Sequence, residues 1–178
     1  MNLMKAIFSV LMFLSPGVAM SSSNELDSQI AEVAEFFSGS LRGETDVLFP
    51  EKLDRNRLNY SLDSLDIVSA WLSVLRKHGV HADSEEAAET IIWSGAYVGE
   101  VIKRCAKTPY VWLPYEEYMK TQKPSLRNLI PYSFGTQFVL ASTTGAMTLP
   151  ISKVVRFLEE GPENDLRFYA SGECKSGK

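Results

Sequence analysis

Basic charge, phosphate-binding motifs and long apolar runs are scarce in this 178-residue chain. Its 18 Lys and Arg residues are outnumbered by 22 Asp and Glu residues, so it lacks the basic face that nucleic acids and anionic membranes require. No Gly-x-Gly-x-x-Gly or Walker pattern occurs, so no phosphate-cradling loop is predicted. We therefore expect no nucleic-acid partner and no cofactor.

Histidine is equally scarce, occurring only at His78 and His81, near Asp83. A His-x-x-His-x-Asp cluster can hold a metal, but structural sites usually draw their ligands from two separate segments, and no second segment supplies His or Cys. A nucleophilic triad needs a His base beside a Ser or Cys nucleophile, and no Gly-x-Ser-x-Gly elbow accompanies these histidines. The sequence therefore predicts neither a metal site nor a triad.

The first twenty residues have the layout of a secretory signal peptide. Lys5 precedes the nine-residue apolar run Ala6–Leu14, and a Ser-Pro-Gly breaker and small residues follow. This run is about half as long as a membrane-spanning helix. We therefore expect a signal peptide at residues 1–20, a periplasmic or secreted protein, and no stable membrane insertion once the signal is removed.

Cysteine occurs only at Cys105 and Cys174. In an exported protein an even pair of cysteines indicates a disulfide. Closing a loop of about 70 residues would stabilise the fold by roughly 4 kcal/mol in the chain-entropy model. The alternative is two unpaired thiols, one buried in a helix and one in a loose tail.

Helices are predicted in the first part of the chain. Apolar residues recur at spacings of three and four in segments that begin at Ser23 or Asn24, near Ser61, and at Asp83 or Ser84. The third predicted helix continues to Lys107 and contains Gly95 and Gly99 on one face. We expect these glycines to allow close packing against a neighbouring element.

Strands are predicted in the second part. Tyr110–Leu113 and Phe138–Ala141 are rich in aromatic and branched residues, and Met147–Pro150 predicts a third, edge-type strand. A long connection, Lys120–Tyr132, separates the first two strands, and a short helix, Ile151–Glu160, follows the third. This order predicts an α+β fold in which N-terminal helices pack with a small antiparallel sheet and a short C-terminal helix. We expect a single domain over residues 24–170 and a flexible tail over residues 171–178.

Four segments, taken in their order along the chain, resemble those of a known family. They are Leu58–Leu65, the Gly-Ala-Tyr-x-Gly-Glu stretch Gly95–Ile102, the Leu-Pro-x-x-Lys-Val stretch Leu149–Val154, and the Gly-Pro-Glu stretch Gly161–Leu166 with Phe168–Ala170. Together they resemble an uncharacterised bacterial domain family over roughly Leu58–Ala170. The resemblance implies a common fold and no particular activity. Asn59 departs from it, because similar sequences lead us to expect an acidic residue there.

Glu100 is the candidate catalytic side chain. Helical spacing places it on one stripe of the third helix with Trp93, Tyr97 and Arg104. A carboxyl group desolvated by aromatic rings can serve as the general acid of a cell-wall glycan hydrolase, which also needs a second carboxylate nearby. The candidates for the second carboxylate are Glu116, Glu117 and Asp66. The alternative, which we favour, is that Glu100 pairs with Arg104 or with backbone and fixes the packing.

Aromatic residues are concentrated beside two acids in the segment that follows the third helix. Aromatic side chains that carry a polar group, such as Tyr and Trp, are enriched at binding surfaces. A surface patch that combines such rings with acidic residues would fit a basic protein partner. The candidate binding residues are Tyr97, Glu100, Tyr110, Trp112, Tyr115, Glu116 and Glu117. The alternative is a strand whose rings belong to the core.

The sequence therefore predicts an exported module that acts by binding a protein. An immunity-type inhibitor, which blocks a toxin acting in the same compartment, is one example. The alternative function is a cell-envelope glycan hydrolase that uses Glu100. The absence of a recognisable catalytic set favours binding.

Overall fold

A computed structural model describes residues 23–43 and 45–175. The helices and strands within these ranges are α1 (Ser23–Ser38), α2 (Ser64–Lys77), α3 (Ala88–Cys105), β1 (Tyr110–Pro114), α4 (Tyr115–Lys120), α5 (Ser125–Leu129), β2 (Phe138–Ser142), β3 (Met147–Thr148), α6 (Pro150–Glu160) and α7 (Leu166–Lys175). The predicted signal peptide lies outside the described residues. No helix within them is long and apolar enough to cross a membrane.

The three strands form an antiparallel sheet in the order β1-β2-β3. Trp112 of β1 lies opposite Leu140 of β2, and Ala141 of β2 lies opposite Met147 of β3. Gly145, with φ of 87°, provides the left-handed backbone for the tight turn between β2 and β3. Helices surround this small sheet, so the predicted α+β fold with a C-terminal helix is confirmed.

Helix α3 is the centre of the core, because every residue from Thr90 to Ile102 is buried. Its two glycines allow neighbouring elements to approach the helix backbone. A Cβ atom at Gly95 would lie 2.8 Å from Cα of Ile151 in α6, and a Cβ atom at Gly99 would overlap the Trp112 ring of β1. The predicted close packing at this pair of glycines is confirmed.

Helix α7 occupies part of the segment that the sequence predicted to be a flexible tail. Residues 171–175 continue the helix, and Cys174 is bonded to Cys105 at the end of α3. The predicted disulfide is therefore present, and the prediction of a loose tail is wrong for these five residues. The hydroxyl of Tyr110 also donates a 2.9 Å hydrogen bond to Glu173. Burial, together with this carboxylate, raises the pKa of Tyr110 to about 12, so the phenol keeps its proton.

The connection between β1 and β2 is more ordered than the sequence predicted. It contains the six-residue helix α4, which begins directly after β1, and the five-residue helix α5 after Pro124. Helices this short have too few turns to show an apolar period, which explains why sequence analysis missed them.

Candidate functional site

Glu100 belongs to a buried polar network that joins α1, α3 and β1. Its Oε1 accepts a 3.1 Å hydrogen bond from Nε1 of Trp112 and lies 3.0 Å from Nζ of Lys103. The same ammonium group donates to both carboxylate oxygens of Asp27, at 2.9 and 3.0 Å. Oδ1 of Asp27 in turn accepts the backbone N–H of Trp112 at 2.9 Å. We call Asp27, Glu100, Lys103 and Trp112 the core network.

The contacts of Glu100 are those of a packing residue. The residue is only 7% exposed, and its Oε1 contacts two donors. A buried carboxylate is tolerated where hydrogen bonds and an opposite charge compensate for its lost hydration. The expected pairing with Arg104 is wrong: the cation is Lys103, and the guanidinium of Arg104 instead stacks 3.4 Å above the ring of Tyr60.

Two of the three carboxylates proposed as partners for a catalytic Glu100, Glu116 and Asp66, form ion pairs elsewhere. Glu116 pairs with Arg127 at 2.9 Å, and Asp66 pairs with Arg167 at 2.8 Å. The second carboxylate that the structure does bring into the core network is Asp27, and the ammonium of Lys103 lies between the two acids. This arrangement compensates both charges inside the fold.

The aromatic residues predicted to form a binding surface belong to the core. Tyr97, Tyr110, Trp112 and Tyr115 are all buried. The Tyr97 hydroxyl, for example, accepts the backbone N–H of Tyr60 at 2.9 Å and lies 2.7 Å from Oγ of Ser64. The expected acidic aromatic patch is therefore not a surface, because the rings face inward and only Glu116 and Glu117 reach solvent.

Exposed apolar side chains are concentrated elsewhere, in the segment Pro124–Thr136, which we call the apolar loop. Leu129 is 78% exposed, Tyr132 64% and Phe134 40%. Scattered exposed apolar residues are ordinary on protein surfaces, whereas a concentration of them marks an interaction site. The three large exposed side chains lie within six residues of the chain, which makes this segment the candidate for such a site.

The apolar loop is held by the residues that sequence analysis assigned to binding. The hydroxyl of Tyr115 donates a 2.6 Å hydrogen bond to the carbonyl of Ile130, and the ring centroids of Tyr115 and Tyr132 lie 5.5 Å apart in an edge-to-face arrangement. Glu116 binds the guanidinium of Arg127 through both oxygens, at 2.9 and 3.2 Å. These hydrogen bonds lower the pKa of Glu116 and raise that of Arg127.

The far end of the apolar loop is fixed by its own hydrogen bonds and by α6. Oγ1 of Thr136 donates to the carbonyl of Pro131 at 2.9 Å and accepts the N–H of Ser133 at 2.8 Å. Gly135 lies so close to α6 that a Cβ atom there would be 3.0 Å from Cα of Ser152. The exposed side chains are therefore displayed on a backbone that is already ordered.

The sequence contained only a weak signal for this site. Bulky apolar residues are frequent in this connection, which also contains two prolines. Leu126, Leu129 and Ile130 have helical spacing, while Ile130, Tyr132 and Phe134 alternate as in a strand, so the pattern does not show which of these side chains stay exposed.

The histidines lie away from any group of ligands. The His78 ring packs 4.8 Å from Phe49 and its Nδ1 lies 2.8 Å from the Val74 carbonyl, at the end of α2. No group of three or more His, Cys, Asp or Glu side chains suited to a metal occurs in residues 23–43 and 45–175.

Comparisons of the chain with protein-family models, with curated proteins and with solved structures find no match.

Proposed function

We propose that this is an exported protein that acts by binding another protein through Leu129, Tyr132 and Phe134. The observation that carries the proposal is the exposure of these three side chains on a loop with a fixed backbone. Phe and Tyr are enriched at protein interfaces, and a loop that is ordered beforehand loses little conformational entropy on binding.

Export rests on the predicted signal peptide and is supported by the disulfide. Structural disulfides persist in oxidising compartments and are rare in the reducing cytosol. The Cys105–Cys174 bond is therefore in keeping with a periplasmic or secreted protein. An immunity-type inhibitor, which meets its toxin outside the cytoplasm, combines this location with a binding function.

The alternative, a cell-envelope glycan hydrolase, draws little support from the surroundings of Glu100. A general acid must reach the leaving-group oxygen of its substrate. Glu100 is buried and is bonded to Trp112 and Lys103. The core network therefore favours a structural role for this carboxylate.

The proposal is tested by capture from a cell-envelope extract. The immobilised mature domain is compared with a variant that carries Leu129→Ser, Tyr132→Ser and Phe134→Ser, and with Phe168→Ser. Phe168 is a matched control because it is 81% exposed and lies on α7. We expect one protein to be retained by the wild type and by the control, and lost by the triple variant with an unchanged melting temperature.

Equal capture by the triple variant would show that the apolar loop is not the binding surface. A peptidoglycan digestion assay on the same samples tests the alternative. If the wild-type protein releases glycan and a stable Glu100→Gln variant does not, the protein is a glycan hydrolase instead.

A further inference from the structure

The charges around the apolar loop are not balanced. Lys120, at the end of α4, and Lys123, just before α5, are exposed and have no ion-pair partner among the described residues. The third basic residue, Arg127, is paired with Glu116. Glu117 is the only acid in the stretch from Tyr115 to Thr136 outside that pair. With three basic and two acidic residues, this stretch has a net charge of +1 (3 − 2) in a chain of net charge −4. Its two lysines precede the exposed apolar side chains in the sequence, and Lys120 also acts electrostatically on Glu116.

We propose that the partner presents an acidic and apolar surface, with carboxylates opposite Lys120 and Lys123 and apolar side chains opposite Leu129, Tyr132 and Phe134. This inference rests on the proposed function, because it specifies the chemistry of the protein that the apolar loop binds. Complementary charges at the rim of an interface accelerate association and select among partners, while the apolar centre supplies most of the affinity.

The composition of the apolar loop fits a protein surface better than a bilayer. The exposed polar residue Asn128 directly precedes the exposed Leu129, and the charged side chain of Lys123 lies next to the start of the loop in the sequence. Such a mixture is typical of protein interfaces, whereas a loop that enters a bilayer must not carry unpaired polar groups into the hydrocarbon. The excess of acidic residues in the whole chain also opposes attraction to an anionic membrane.

The partner is recognised by side chains, because the sheet offers little edge for strand addition. On β1, Asp27 already accepts the outward backbone N–H of Trp112. Next to β3, the hydroxyl of Tyr169 accepts the N–H of Leu149 at 2.9 Å. Binding by β-augmentation uses such free edge groups, so the exposed side chains of the apolar loop are the better contact.

The experiment introduces the photoreactive residue p-benzoylphenylalanine into the full chain in its source cells, at Tyr132 and, as a control, at Phe168. The protein crosslinked only from position 132 is identified by mass spectrometry and purified. Its Kd is then measured between 50 and 300 mM salt (about 14 to 6 Å of screening length). The variants are Lys120→Glu with Lys123→Glu, and Lys77→Glu with Lys107→Glu, which change the net charge equally at other exposed positions.

We expect the Kd of the wild-type protein to rise with salt. At low salt, the variant with Lys120→Glu and Lys123→Glu should bind about tenfold more weakly than wild type, whereas the Kd of the control variant should change less than about twofold. An unchanged or tighter Kd in the first variant would overturn the acidic partner and leave the proposed function standing. The absence of a protein crosslink specific to position 132 would overturn both. A different result would assign the apolar loop to a membrane surface. In that case position 132 would crosslink to lipid, and the protein would bind phosphatidylglycerol vesicles unless Leu129, Tyr132 and Phe134 were replaced by serine.

Discussion

The core network and the apolar loop both contain a carboxylate paired with a cation, yet the two pairs have different consequences. Lys103 lies between Asp27 and Glu100 with side chains that are mostly buried, whereas Arg127 and Glu116 are exposed to solvent. Breaking a buried pair leaves an uncompensated charge in the protein interior, while an exposed pair is replaced by water at little cost. Removing one partner of the buried pairs should therefore destabilise the fold, whereas removing one partner of the exposed pair should affect mainly the order of one loop.

The largest effect is expected for Lys103→Met, which leaves Asp27 and Glu100 without their shared cation. The free energy of unfolding should fall by about 3 kcal/mol, as is usual when one partner of a buried ion pair is removed. Urea denaturation of the mature domain measures this loss. Lys107→Met, at an exposed position two residues beyond α3, is the control and should change stability by less than about 0.5 kcal/mol. Equal stability of the two variants would mean that the core network does not hold α1 against α3.

A second large effect is expected for Gly99→Ala, because the added methyl group would overlap the ring of Trp112. Overpacking should cost about 1–3 kcal/mol, although alanine is intrinsically favoured over glycine in a helix. Gly172→Ala in α7 is the matched control, since a Cβ atom there meets nothing within 4 Å. Thermal unfolding of both variants should show a lower melting temperature for the first and an equal or higher one for the second. A more stable Gly99→Ala protein would contradict the close approach of β1 to α3.

A smaller effect is expected for Glu100→Gln. The amide keeps the shape of the side chain and can still accept the indole hydrogen bond, but it loses the attraction to Lys103. Stability should fall by about 1–2 kcal/mol, while the affinity for the captured partner stays within about twofold of wild type. Denaturation and binding measurements on one preparation separate the two effects. A stable variant with weakened binding would place Glu100 at the interface.

The smallest effect on global stability is expected for Glu116→Gln, which removes the charge that holds Arg127. The pKa of Glu116 is lowered in the folded protein, so its contribution is present above its ordinary pKa and is lost as the pH falls through the lowered value. Hydrogen exchange in residues 125–134 should therefore become faster in wild-type protein in strong acid, after correction for intrinsic rates, and should be faster at pH 7 in the variant. Identical exchange at pH 7 would show that the Glu116–Arg127 pair does not order the apolar loop.

The elements with strong local patterns could be predicted from the sequence. Helices α1, α2, α3 and α6, the three strands, the disulfide and the packing of Gly95 and Gly99 follow from spacing and residue type, whereas the helices α4, α5 and α7 do not. The cation that pairs with Glu100 could not be predicted, because helical spacing allows both Lys103 and Arg104. In the structure, Asp27, which lies 76 residues before Lys103 in the chain, binds the ammonium group of Lys103, so Lys103 is the cation beside Glu100.

The proposed binding surface was missed for a related reason. Aromatic residues in β1 look the same in sequence whether they cover the core or face solvent, and the structure buries Tyr110 and Trp112. Exposure is a property of the whole fold, so the concentration at Leu129, Tyr132 and Phe134 is visible only when every element is in place.

The disulfide also has a topological consequence. It joins residues 69 apart and closes the chain into a covalent ring that contains the whole apolar loop. A single cut by trypsin after Lys120 or Arg127 therefore opens the ring without releasing a fragment. The cut adds the mass of one water, and the disulfide holds the two pieces together until a reductant separates them. Cleavage in the apolar loop therefore leaves the molecule in one piece.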